Sequence, residues 1–168
     1  MEQTKQPAIT VDPTAGDSLA MAGGNYRIII SGQQTQREFA VIDMLVPPGS
    51  GPGPHAHASF QENFYVVDGE IEVRTETQTY VARKGAFVNI PKGGIVHAFK
   101  NKSGQMAHLL CIVVPAGLDD FFKAAGTPVS AGTFLPPVPM DEAGINKMKE
   151  ISEKYGQQLF PPDYLDTL

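Results

Sequence analysis

The chain contains no tryptophan, a single cysteine and four histidines. One cysteine rules out an intrachain disulfide and fits a reducing compartment. No apolar run is longer than Leu109 to Val114, far below the roughly 20 residues that span a bilayer. The net charge is −5, with Lys and Arg scattered along the chain. Such a chain has no basic stripe to neutralise phosphates, so neither nucleic acid nor membrane is an expected partner. The opening MEQTKQPAITVDPTAGD has no apolar stretch after a basic start, which predicts no signal peptide and a cytoplasmic placement. Gly-x-Ser-x-Gly elbows, Walker loops and CxxC pairs are missing too, removing the usual signatures of serine hydrolases, nucleotide-binding loops and thiol redox centres.

What the chain has in quantity is turn residues. Seventeen glycines and fourteen prolines in 168 residues exceed the usual share, yet stay below the level that marks low complexity. One turn-rich domain is therefore expected, long enough to bury a core unaided. Residues 1–24 read as a polar arm. Residues 25–116 carry short runs of Val, Ile, Phe and Tyr broken by Gly, Pro and Asp, which predict strands. The expected strands are Tyr26 to Ser31, Phe39 to Val46, Glu62 to Val67, Glu70 to Glu76, Thr79 to Ala82, Ala86 to Ile90, Ile95 to Lys100 and Ala107 to Val114. Asp68-Gly69 between two of them predicts a two-residue hairpin turn. Many short, evenly spaced strands imply an all-β sandwich or barrel. Residues 117–168 change texture and predict a helical extension packed on the barrel. Leu118 to Ala125 is its first expected helix, with Asp119 and Asp120 favourably placed in the first turn. A connector with four prolines follows. Asp141 then caps a second helix, with Ile145, Met148, Ile151 and Tyr155 at near-helical spacing and Gly156 as its stop.

The histidines are not scattered. His55 and His57 lie two apart, so on an extended segment they project from one face. Glu62 shares parity with Phe64 and Val66 on the next strand, and His97 lies on a later one. Neutral imidazoles with one carboxylate suit a divalent first-row ion. The ion would also remove the cost of burying an unpaired carboxylate. Such a set leaves positions open for water, dioxygen or substrate. His108 matches no ligand position and is expected at the surface or in packing. Cys111, inside LLCIVV, is expected to be a buried, inert thiol. Lys92 and Arg83 are expected to be solvated charges, and the aromatics Phe39, Phe60, Phe64, Tyr65, Phe87 and Phe99 to be mostly core. Prolines 48, 52 and 54 remove the N–H donors a phosphate loop needs, so Gly49 to Pro54 reads as a stiff bend delivering His55.

In these residues the sequence resembles the cupin superfamily. Gly49, His55, His57, Glu62 and Gly69 fit the first cupin motif, G-x5-H-x-H-x4-E-x6-G, without a gap. Gly85, Pro91, Gly93, His97 and Asn101 follow the second motif, except that Gly93 to His97 is one residue longer. Gly94 can absorb that residue. Ala86 stands where many cupins have an acidic residue. The resemblance implies a double-stranded β-helix (a cupin or jelly-roll barrel), usually dimeric, holding one divalent transition metal ion on His55, His57, Glu62 and His97. Fe, Mn, Ni, Co, Cu and Zn all accept such a set. The tail, with PAGLDDFF and EKYG, resembles that of small single-domain cupins related to quercetin dioxygenases. That implies an oxidoreductase acting on a small aromatic or enolic molecule. Glu62 would then be both ligand and proton acceptor, and Phe64 and Phe99 could line the pocket. A non-catalytic ligand-binding or sensor cupin and a cupin isomerase or epimerase stay open as alternatives.

Overall fold

The computed structural model describes residues 5–167. In chain order the strands are β1 (Asp17–Met21), β2 (Gly24–Ile30), β3 (Ala40–Val46), β4 (His55–His57), β5 (Gln61–Asp68), β6 (Glu70–Thr75), β7 (Thr79–Arg83), β8 (Phe87–Ile90), β9 (His97–Lys100), β10 (Ala107–Val114), β11 (Thr127–Val129) and β12 (Gln157–Leu159). Two helices, α1 (Leu118–Ala125) and α2 (Glu142–Lys154), and a short 3-10 turn (Tyr164–Thr167) complete the chain. The strands form a seven-stranded sheet, β11-β1-β2-β3-β10-β5-β8, facing a five-stranded one, β12-β4-β9-β6-β7. All described pairings are antiparallel. The fold is the expected all-β double-stranded β-helix.

Alternation builds the core. Tyr26 and Ile28 of β2, Ile42 and Met44 of β3, Phe64 and Val66 of β5, and Leu109, Cys111 and Val113 of β10 are buried, while most of their neighbours, the buried Asn25 excepted, face outward or sit half-buried. Ile71, Val73 and Phe99 answer from the smaller sheet, and Phe121 and Phe122 of α1 close one side, with the Phe122 ring stacked on Tyr26. Met148 and Ile151 of α2 and Tyr155, which caps it, pack against the same core, as their helical spacing implies. The expected boundaries of α1 and the Asp141 cap hold, the Asp141 carboxylate accepting from the Gly144 N–H at 2.8 Å. Ile145, by contrast, points to solvent.

Four readings need correction. The polar lead-in contains β1, which extends the larger sheet, and the proline-rich connector contains β11, which pairs with β1. Phe39, Tyr65 and Phe87 are exposed rather than core. Asp68-Gly69 is not a hairpin: β5 pairs with β8 and β10, whereas β6 pairs with β7 and β9, so this turn carries the chain from one sheet to the other. Gly69 has φ +73°, and a Cβ there would lie 2.5 Å from the Met106 carbonyl oxygen. Gly69→Ala is expected to cost about 1–3 kcal/mol, read as a fall in denaturation midpoint.

Candidate metal centre

The bend before β4 places the first two imidazoles. Asn101, fully buried at the end of β9, donates through Nδ2 to the Val46 and Gln105 carbonyls, while its backbone C=O accepts from the Gly49 N–H at 2.7 Å. Gly51 passes so close to β9 that a Cβ would meet the Phe99 carbonyl oxygen at 2.1 Å. The bend is thereby fastened to the strand that carries His97, and His55 stands opposite His97 in the β4–β9 ladder. The extra residue before His97 is taken up by two consecutive left-handed glycines, Gly93 at φ +113° and Gly94 at φ +83°. Glu62 reaches the same interior from β5, where it pairs with Val113 and Ile90.

All four side chains are buried, and their ligand atoms lie within 4.8 Å of one another. Each imidazole is oriented by a backbone carbonyl. His55 Nδ1 lies 2.9 Å from the Gly53 oxygen, His57 Nδ1 2.9 Å from that of Phe60, and His97 Nδ1 3.0 Å from that of Ile95. A carbonyl can only accept, so each Nδ1 carries the proton and each neutral ring keeps its lone pair on Nε2. The Phe60 ring also stacks on His57, with centroids 4.2 Å apart.

The Nε2 atoms converge on the carboxylate. His57 Nε2 is 3.2 Å and His97 Nε2 3.6 Å from Glu62 Oε2. His97 Nε2 is sealed from solvent and has no hydrogen-bond partner among the described residues. Lone pairs facing a carboxylate in a buried space repel unless a proton or a metal cation stands between them. Burial, reinforced by the charge of His97, lowers His55 to about 4, so that ring brings no extra proton at neutral pH. Burial pushes the Glu62 carboxyl up, but the neighbouring His57 and His97 rings, whenever a proton on Nε2 faces it, outweigh burial and hold the group below its ordinary value. A divalent cation satisfies every donor at once, and three nitrogens with one oxygen are a set that first-row ions accept. The cluster fits a metal ion.

Cys111 has a contact that its apolar sequence context concealed. Its thiol faces Glu62 Oε1 at 3.5 Å, and burial, then the Glu62 charge, pushes its pKa up. It is a neutral S–H donor rather than a nucleophile, so the expectation of an inert thiol holds while its position beside Glu62 is new. Tyr26, likewise pushed up by burial and then by Glu62, lines the same interior. Phe64 and Phe99 meet edge-on with centroids 5.2 Å apart in the core. His108 lies on the outer side, half-buried against Asp43, which also pairs with Arg27. Arg83 is an exposed partner of Glu70.

The Cupin domain profile matches residues 42–113, the span that holds all four candidate ligands. This chain carries a cupin domain. Two curated relatives are quercetin 2,3-dioxygenases. The protein from Bacillus subtilis is 26% identical over 119 residues, 71% of this cupin and 35% of the relative. That from Aspergillus japonicus is 26% identical over 121 residues, 68% of this cupin and 34% of the relative. The cupin thus spans about a third of the length of these relatives. Among solved structures, a predicted oxalate decarboxylase from Thermotoga maritima superposes with a TM-score of 0.56 at 19% identity, covering 64% of this cupin and 99% of the other chain. That likeness concerns the fold. Among the described residues, no helix is long and apolar enough to cross a membrane.

The low pKa of His55 sets an acid response in the metal-free cupin. Folding favours its neutral form, so the stabilisation is complete above the ordinary value of 6.5 and is lost as pH falls toward about 4. The loss amounts to about 3 kcal/mol. Glu62, depressed from 4.5, adds a loss of the same sign at lower pH. Melting of chelator-treated cupin should show Tm falling across this window; a flat Tm would contradict the burial of a neutral imidazole.

Proposed function

We propose that this cupin is a metal-dependent dioxygenase of quercetinase type, acting on a small aromatic or enolic substrate. The observation that carries the reading is the buried set of three carbonyl-oriented imidazoles around one carboxylate. The two quercetin 2,3-dioxygenases among its relatives support the reaction class. His55, His57 and His97 would hold the ion through Nε2, and Glu62 through Oε2. When bound, the ion supplies Lewis acidity toward an enolate oxygen and an open coordination position.

The remaining work falls to the chain. Glu62, kept anionic, accepts the proton of the substrate hydroxyl. The Cys111 S–H, on the opposite carboxylate oxygen, fixes which oxygen faces the imidazoles. Burial of the ligands keeps bulk water away. Phe64 and Phe99, sharing strands with Glu62 and His97, provide an apolar wall.

The test is oxygen uptake with a panel of flavonols and other enolisable aromatics, after anaerobic loading with Fe, Mn, Ni, Co, Cu or Zn in turn. Uptake is expected with at least one metal and none without metal. No uptake with any combination would remove the proposed substrate class.

A further inference from the structure

β12 runs antiparallel along β4, with Gln157 opposite His57, Gln158 opposite Ala56 and Leu159 opposite His55. Directly opposed residues of an antiparallel pair project from the same face. Gln157 therefore shares the face of His57, the one bearing the metal ligands. Burial alternates accordingly: Gln157 is 6% exposed and Gln158 is exposed. Gln157 Nε2 is sealed from solvent and has no hydrogen-bond partner among the described residues. An unpaired buried amide donor costs about 1–3 kcal/mol, a cost removed when an acceptor arrives.

We propose that Gln157 donates a hydrogen bond through Nε2 to a small anion, or to the oxyanion of a substrate, bound at the open position of the metal centre. The C-terminal segment thereby completes the binding site. The inference rests on the metal reading above. A second buried atom of this segment without a partner among the described residues, Ser152 Oγ of α2, suggests the competing arrangement, in which a trapped water serves both groups and nothing reaches the metal.

The experiment titrates azide, a small anionic ligand for open metal positions, into the cobalt-loaded cupin and follows its visible absorption. Gln157→Met keeps an unbranched side chain and removes the N–H donors. It is expected to weaken azide binding by about tenfold or more, as loss of a hydrogen bond to a charged group implies. Its cobalt affinity should be unchanged. Gln158→Leu, on the outer face of the same strand, should leave azide affinity at the native level. If the methionine variant fails to fold, Gln157→Leu carries the same expectation. Unchanged azide affinity without the amide, or an equal loss in Gln158→Leu, overturns the inference while the metal centre stands. A native cupin that binds no cobalt overturns the metal reading and this inference together.

Discussion

Replacement of His57 by alanine is expected to lower metal affinity by well over a hundredfold and to abolish metal-dependent activity. Groups that merely orient metal ligands are worth 10–100-fold, and His57 would be a ligand itself, fully buried and 3.2 Å from Glu62 Oε2. Thermal stability supplies a second readout. A ligand present at a thousand times its dissociation constant stabilises the folded state by about 4 kcal/mol. The native cupin should therefore gain many degrees in Tm on metal addition, and His57→Ala should gain almost none. The variant also leaves a cavity beside Phe60, so its metal-free Tm should fall modestly. Full activity and an undiminished Tm shift in His57→Ala would contradict the site.

The largest expected loss of stability in the metal-free protein comes from Asn101→Ala. The Asn101 side chain makes four hydrogen bonds: Nδ2 to the Val46 and Gln105 carbonyls at 2.8 and 2.6 Å, and Oδ1 from the Ser103 N–H and hydroxyl at 3.0 and 2.7 Å. Truncation strands the Val46 carbonyl in the core, and each stranded buried group costs about 1–3 kcal/mol. Ser103 and Gln105 are partly exposed and find water, so a total of about 2–5 kcal/mol is expected by denaturant unfolding. The same residue anchors Gly49 and Ser50 through its backbone, and these begin the bend that delivers His55. Asn101→Ala keeps these backbone bonds but cuts the side-chain tether to Val46 and Gln105 that holds this backbone in place, and should weaken metal binding as well. A loss below about 1 kcal/mol with native metal affinity would show that the bend is held by other means.

The candidate metal cluster was legible because its signal is local: the spacing of His55, His57 and Glu62 within one motif survives whatever the rest of the chain does. Long strands with clear alternation, such as β3 and β10, were legible for the same reason. Asp68-Gly69 shows the limit. The dipeptide does mark a tight left-handed turn, with Gly69 at φ +73°, but its flanking strands belong to different sheets, and sheet membership is decided by tertiary packing. β12 was invisible because three residues carry no periodicity and their partner, β4, lies a hundred residues away. Gln157 therefore reads as an ordinary polar residue after a helix stop. Cys111 reads as core in LLCIVV, and its contact with Glu62 exists only because β10 pairs with β5.

The central claim is that one ion sits among His55, His57, Glu62 and His97. X-ray absorption at the metal edge of stoichiometrically loaded native cupin tests it most directly. The expected result is one ion per chain, with three imidazole rings and at least one oxygen in the coordination shell, falling to two rings in His57→Ala. A shell of water oxygens without imidazole scattering, or one unchanged in that variant, would contradict it.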